Sequence, residues 1–324
     1  MTNEGHMTRI KLENIHQARA VIDPVFLNSP QFDCEPLSEA LGCALTLKVE
    51  CLNPIRSFKG RGAETYMEAV KASGEQGSVI CASAGNFGQA IAYAGRRRGV
   101  PVVVYVAENA NPLKIERMRG LGAEVRLHGA DFDAAKDESR RFAAENNLKL
   151  AVDSLDVETA VGAGTMGLEL ARLDPMPEAV VIPLGNGAMI NGIATALRDA
   201  APEIEIVAVQ AAKAPAMVES LRTGEIVETE TAATIADGIG VRVPVPEALS
   251  DMEGLVDTTM LIAEQTMIEA MRLVHRHLGL VVEPSGVVGL SAIIENRDHF
   301  AGRRVASILC GGNLTPEQVA DWLG

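Results

Sequence analysis

No cysteine in this chain pairs with another at CxxC spacing. The five thiols, Cys34, Cys43, Cys51, Cys81 and Cys310, are odd in number and scattered over 324 residues. That pattern argues for reduced thiols in a cytoplasmic protein rather than a disulfide framework. No apolar run approaches the ~20 residues of a membrane span. The opening MTNEGHMTRIKLENI has no apolar core of a secretory signal. Basic charge is not in excess: 29 Lys and Arg against 43 Asp and Glu leave a net charge of −14. This argues against nucleic acid or an anionic membrane as the main partner, while leaving room for a local anion pocket. Metal-ligand spacings are missing, and His275 and His277 diverge on a predicted helix, so no metal site is expected. GxSxG is missing too. Gly162-Ala163-Gly164-Thr165-Met166-Gly167 matches GxGxxG letter for letter, yet no strand precedes it, which rejects a dinucleotide site.

What is present is core and alternation. Apolar residues make up 47% of the chain, enough for one large or two modest domains. Helical patterns at about 61–74, 87–98, 112–121 and 131–147 alternate with apolar runs at 78–81, 100–106, 123–127 and 149–152. The alternation resumes with helices at about 163–173, 187–199 and 214–222 around strands at 179–184 and 204–209. Residues 223–254 read as irregular; helices over 258–278 and 285–296, a strand over 304–309 and a terminal helix close the chain. Buried-looking, β-branched strands between helices predict an α/β protein with open, mostly parallel sheets flanked by helices.

In such sheets ligands sit at the carboxyl ends of strands. Four segments there are unusual. Ser83-Ala84-Gly85-Asn86 follows the strand ending at Cys81; it is either a ligand cradle or a tight turn capped by Asn86. Gly185-Asn186-Gly187-Ala188-Met189 follows the strand ending at Leu184 and reads as an anion-binding nest or a packing turn. No Lys-Ser/Thr follows, so it is not a Walker loop. Cys310-Gly311-Gly312-Asn313 follows Leu309, with a buried structural thiol as the plain alternative. Glu283-Pro284-Ser285-Gly286 enters a helix, with Ser285 as its cap in the plain reading.

Lys59 is the most telling residue. It lies in Ser57-Phe58-Lys59-Gly60-Arg61-Gly62-Ala63, between a phenylalanine and two glycines at a helix start. Few surface lysines have such neighbours. A lysine that forms a Schiff base often does, because desolvation frees its lone pair.

Taken together and in order, these motifs resemble fold-type II pyridoxal-phosphate enzymes. The match is to the serine/threonine dehydratase group, which includes serine racemase, and it runs from about residue 20 to the C-terminus. The resemblance implies a tryptophan synthase β-subunit-like architecture: a large domain of residues 1–64 and 154–324, a small one of 65–153, and a cleft between them. It implies pyridoxal 5'-phosphate on Lys59, which then removes the substrate Cα proton. Phe58 would pack beside the cofactor, Gly185, Asn186, Gly187, Ala188 and Met189 would hold its phosphate, and Asn86 its 3-hydroxyl. Cys310 would face the ring nitrogen. Ser83, Ala84, Gly85 and Asn86 would cradle the substrate carboxylate. Asp237 matches a substrate-side Asp-Gly, with a solvated loop aspartate as the equal alternative. A homodimer is implied.

A neutral thiol at the ring nitrogen favours prompt loss of a β-substituent over transamination. The expected activity is therefore removal of water and then ammonia from a 3-hydroxy amino acid. Racemases carry serine where this chain has Ala84, which disfavours racemisation. Gln210 and Ala216 stand where some members hold a divalent cation with carboxylates. Asn186, Ala188 and Met189 in the phosphate loop, with Gly60 and Phe87, depart from the family pattern, which points to an altered pocket and a bulkier substrate such as phenylserine. The competing readings are β-replacement or a threonine synthase-like reaction, racemisation, a catalytically silent amino-acid sensor, and a nicotinamide dehydrogenase.

Overall fold

The computed structural model describes residues 8–324; residues 1–7, the start of the segment inspected for a signal sequence, lie outside it. Ten strands form two sheets among the described residues. The strands are β1 (Gln31–Asp33), β2 (Ala44–Val49), β3 (Val79–Ala82), β4 (Val102–Val106), β5 (Glu124–Leu127), β6 (Lys149–Leu150), β7 (Ala179–Pro183), β8 (Glu205–Ala211), β9 (Thr258–Ile262) and β10 (Arg304–Leu309). The larger sheet has the order β1-β2-β10-β7-β8-β9 and the smaller β5-β4-β3-β6. Every pairing is parallel except β1 with β2.

The sequence explains the layering. Val102-Val103-Val104-Tyr105-Val106 is buried throughout, as is β7. Such unbroken apolar strands suit a parallel sheet covered on both faces. By contrast β5 carries Glu124 and Arg126 and sits at an edge. The order reverses between β10 and β7 in one sheet and between β3 and β6 in the other. Switch points of this kind open a crevice at the strands' carboxyl ends.

Several expectations shift. The segment 258–278 is a strand, Thr258–Ile262, followed by a helix, Glu264–Leu278. Thr258-Thr259-Met260-Leu261-Ile262 is β-branched with Met260 and Ile262 buried, and it pairs with Val207–Ala211. The segment 223–254 holds a 3-10 turn at Asp237–Ile239 and a helix at Pro246–Met252, started by proline at its first position. The first 60 residues, unassigned from pattern, supply β1 and β2.

The GxGxxG look-alike lies inside the helix Val157–Leu170. Its glycines serve close packing: a Cβ on Gly162 would stand 2.3 Å from the Arg61 carbonyl oxygen, and one on Gly167 would stand 2.7 Å from that of Ile193. No helix among the described residues is long and apolar enough to cross a membrane.

Candidate active site

Lys59 opens the helix Lys59–Ala72, two residues earlier than its periodicity suggests. Its position is set by backbone. Ser57 and Gly311 form an antiparallel bridge, the Phe58 amide donates to the Cys310 carbonyl at 3.1 Å, and the Gly312 amide donates to that of Arg56 at 2.9 Å. The lysine helix is thus stitched to the carboxyl end of β10. Lys59 Nζ donates to Asp153 Oδ2 at 2.6 Å and lies 4.8 Å from the centre of the Phe58 ring. Both charged side chains are mostly buried. They face a narrow cleft that Phe58, Gly62, Ala63, Phe87, Thr159 and Ala188 also line.

Beneath the lysine, the same helix carries a fully buried arginine. Arg61 donates to Glu50 at 2.8 and 3.0 Å, to Glu169 at 2.7 and 3.0 Å, and to Thr165 Oγ1 at 2.9 Å. Buried Lys48 pairs with Glu169 and donates to the Ser29 carbonyl at 2.9 Å. Two cations and two carboxylates close on each other. Burial works to raise the Glu169 carboxyl, but Arg61 and Lys48 overcome it and hold it at about 2.

The 83–86 turn leads into the helix Asn86–Arg98. Asn86 is its first residue rather than its cap; the cap position is Gly85, so the capped-turn alternative fails. Ser83, Ala84, Gly85 and Asn86 are half-buried, and a Cβ on Gly85 would meet nothing within 4 Å. The Asn86 amide is held at both ends. Its Nδ2 donates to Glu283 Oε1 at 2.7 Å, and its Oδ1 accepts from Asn313 Nδ2 at 2.7 Å. Glu283 Oε2 accepts from the Asn313 amide at 2.9 Å, and Arg117 donates to Asn313 Oδ1 at 2.8 Å.

Glu283 is buried, and that burial, with Asp237 adding to it, pushes its carboxyl up to about 7 against the hydrogen bonds it accepts. Glu283 also occupies the cap position of the following helix, without a side-chain capping bond, where Ser285 was the sequence's candidate. Ser285 Oγ instead accepts from the Gly238 amide at 3.0 Å.

Cys310 is buried with its Sγ 3.6 Å from the Ser285 carbonyl oxygen, to which it donates. Burial first, and then Glu283, push its thiol far above the ordinary range, so it is neutral. Gly187 adopts φ +104° and starts the helix Ala188–Ala200. The Ala188 amide donates to Ser154 Oγ at 3.0 Å. Among the described residues, the amides of Gly185, Asn186 and Gly187 meet no protein acceptor. Asp237 is exposed and pairs with Lys114 at 2.6 Å. Gln210 and Ala216 are buried, and Gln210 Oε1 accepts from the Val218 amide at 3.0 Å.

The cluster is therefore continuous. Lys59 meets Asp153, Ser154 meets Ala188, and Phe58 joins Cys310 through backbone. Cys310 meets the helix of Glu283, and Glu283 holds Asn86. Asp237 stands at the rim. Sequence reasoning missed Asp153, and it singled out Glu283-Pro284-Ser285-Gly286 without giving Glu283 a role. Asp153 stands directly after the predicted strand 149–152, so the carboxyl-end rule had marked its position. Gly60 lies outside the cleft: a Cβ there would strike the Phe26 ring at 2.4 Å. Of the departures attached to a bulkier substrate, Phe87 and Ala188 line the cleft.

These residues fit pyridoxal phosphate. An amine stands beside an aromatic face, unpaired amides gather at the start of a 13-residue helix, and the residue whose carbonyl anchors Phe58 carries a neutral thiol.

A family model described as pyridoxal-phosphate dependent enzyme matches residues 22–311. The chain is 32% identical over 305 residues to an L-threonine ammonia-lyase of Thermotoga maritima, covering 94% of this chain and 76% of that protein. It is 30% identical over 315 residues to a catabolic L-threonine dehydratase of Staphylococcus aureus, covering 96% and 91%. Among solved structures, maize serine racemase is similar with a TM-score of 0.90 at 26% identity, covering 96% of each chain. A threonine deaminase from Solanum lycopersicum, isoform 2 in its processed form, gives 0.87 at 29% identity, covering 96% and 93%.

Proposed function

This chain belongs to the pyridoxal-phosphate dependent enzyme family as a lyase, and from that premise we propose that it removes water and then ammonia from a 3-hydroxy amino acid. The observation that carries the proposal is the Lys59 amine, 2.6 Å from a carboxylate and facing a cleft. The relatives' names, threonine ammonia-lyase and threonine dehydratase, support threonine- and serine-like substrates.

In this reading Lys59 Nζ holds the cofactor, with Phe58 packed beside it and Asn86 fixed by Glu283 and Asn313 to hydrogen-bond it. Gly185, Asn186, Gly187, Ala188 and Met189 bind its phosphate, with the Ala188 amide exchanging its Ser154 bond for that contact. Bound there, pyridoxal phosphate supplies an electron sink for the bond electrons at the substrate Cα. Lys59 takes the Cα proton at Nζ. Ser83, Ala84, Gly85 and Asn86 hold the substrate carboxylate and so aim the Cα–H bond at the lysine, while Asp237 sits on the substrate side. Ala84 has no proton to give, so a proton returned to Cα comes from the lysine's side alone, which disfavours racemisation. Cys310, a neutral thiol, leaves the cofactor's ring nitrogen without an ionic partner, which favours elimination. The released enamine hydrolyses to a 2-oxo acid and ammonia.

The division into two sheets supports one domain of residues 1–64 with 154–324 and another of 65–153, and the chain works as a homodimer. Phe87 gives the cleft an aromatic wall, the feature that supports phenylserine as a further substrate. The test is 2-oxo acid release from serine, threonine, 3-hydroxyaspartate and phenylserine. Turnover of any of them supports the lyase reading, and silence on all four defeats it. Phenylserine turned over as fast as threonine supports the bulky pocket; threonine far ahead ends that part.

A further inference from the structure

A hydroxide ion is a poor leaving group near neutral pH, so the β-oxygen must gain a proton as its bond to carbon breaks. Lys59, occupied with the Cα proton, does not supply it in the same step. Among the described residues lining the cleft, Asp153 is the one acidic side chain. Its Oδ2 touches Lys59 Nζ at 2.6 Å, while its Oδ1 has no partner. The other acids nearby are engaged. Thr159 Oγ1 donates its hydrogen to the Asp156 carbonyl at 2.7 Å. Cys310 donates to the Ser285 carbonyl, Glu283 accepts from Asn86 and Asn313, and Asp237 pairs with Lys114 outside the cleft.

The backbone holds Asp153 in place. Ser154 next to it adopts φ +68°, a left-handed conformation unusual for a serine. Two bonds outside the phosphate loop keep it there: its amide donates to Thr159 Oγ1 at 3.1 Å, and its carbonyl accepts from the Arg9 guanidinium at 3.3 Å. On the other side the Val152 amide donates to Asp156 Oδ2 at 2.6 Å. A strained turn clamped from both sides is what fixed aim of one side chain requires.

We infer that Asp153 is the general acid of the elimination, protonating the departing β-oxygen with a proton it takes from Lys59. The inference rests on the lyase reading above. Across their 2.6 Å bond the Lys59 ammonium first gives a proton to Asp153, leaving a neutral amine and a carboxylic acid; Lys59 Nζ then takes the Cα proton, and the electron pair of that bond ends in the Cα–Cβ double bond. The Cβ–O bond breaks and its pair leaves with oxygen. Asp153 gives that oxygen its proton, so water departs. The substrate has lost one water, and both side chains are as they began.

The experiment compares two leaving groups on the holoenzyme. Asp153→Asn, with its visible cofactor band checked against wild type, is assayed on the best 3-hydroxy substrate and on 3-chloroalanine, whose chloride leaves without a proton. The expected result is a loss of about 100-fold or more in kcat on the hydroxy substrate with 3-chloroalanine nearly unaffected. Asp153→Glu recovers part of the hydroxy activity. In cofactor-free protein, Asp153→Asn frees Lys59 for acylation, read by peptide mass spectrometry as faster labelling at that lysine. Equal losses on both substrates, or no loss on either, overturn the general-acid role while leaving the lyase reading intact. A wild-type protein with neither a visible band nor turnover of either substrate overturns the lyase reading itself.

Discussion

Lys59 and Arg61 stand two residues apart on one helix and face opposite surroundings. Arg61 is fully buried in a closed set, with Glu50, Glu169 and Thr165 taking up its donors and Lys48 pairing with Glu169 to balance the second carboxylate. Lys59 has one ionic partner, and that partner keeps an oxygen free. A closed, neutral set fixes the helix because moving any member strands the others in a medium of low polarity. The open pair can exchange its bonds for those of a cofactor and a substrate. The carboxylates follow the same division. Glu169 in the closed set is held down at about 2, whereas Glu283 beside the cleft is pushed up to about 7.

The sharpest way to break this contrast is to remove each cation in turn. Lys59→Ala is expected to lower turnover by about 10⁴-fold while the thermal midpoint stays close to wild type. If it unfolds the protein, the lysine is structural and the division fails. Arg61→Met leaves Glu50 and Glu169 without their shared partner. It is expected to cost about 3–5 kcal/mol in urea denaturation, since breaking a buried pair leaves uncompensated charge. A near-neutral result would show that the closed set does not hold the helix.

A pH series sharpens the contrast between the carboxylates. Glu283 sits near 7 in the fold against an ordinary 4.5, so the folded state holds more protons between those values. Its contribution to stability is complete below pH 4.5 and is lost as pH rises through 7, a change of about 3 kcal/mol. Glu169 has the opposite sign: its contribution is present above pH 4.5 and is lost as pH falls through 2. Urea stability measured from pH 5 to 8 should therefore fall less in Glu283→Gln than in wild type. Parallel slopes would mean that Glu283 is ionised throughout.

The smallest effect concerns the 185–189 loop, the proposed phosphate site. Gly187→Ala must hold φ +104° and bring a Cβ within 3.0 Å of Met252 Cε. It is expected to cost about 1–2 kcal/mol and to release cofactor faster on dialysis, read as loss of the visible band. Unchanged retention would mean that Gly187 serves packing alone.

Much of this was legible from pattern. The apolar runs of β4 and β7 announced a parallel sheet, and the glycine turns after β3, β7 and β10 marked strand ends that the fold gathers around Lys59. What pattern could not show was partnership across the chain. Asn86 reads locally as a helix cap; only the fold brings Glu283 and Asn313 to its amide. Thr258–Ile262 hid as a strand because it runs directly into a strongly amphipathic helix. Gly60 looked like pocket space, but it is room for Phe26. Asp153 went unread because a lone aspartate after a strand is ordinary until a lysine from 94 residues away meets it.

The central claim is that Lys59 carries the cofactor. Purified protein loaded with pyridoxal phosphate should be yellow, lose that band on borohydride treatment, and yield one labelled peptide with the cofactor on Lys59. Label on another lysine, or a colourless protein that takes up no pyridoxal phosphate, would contradict it.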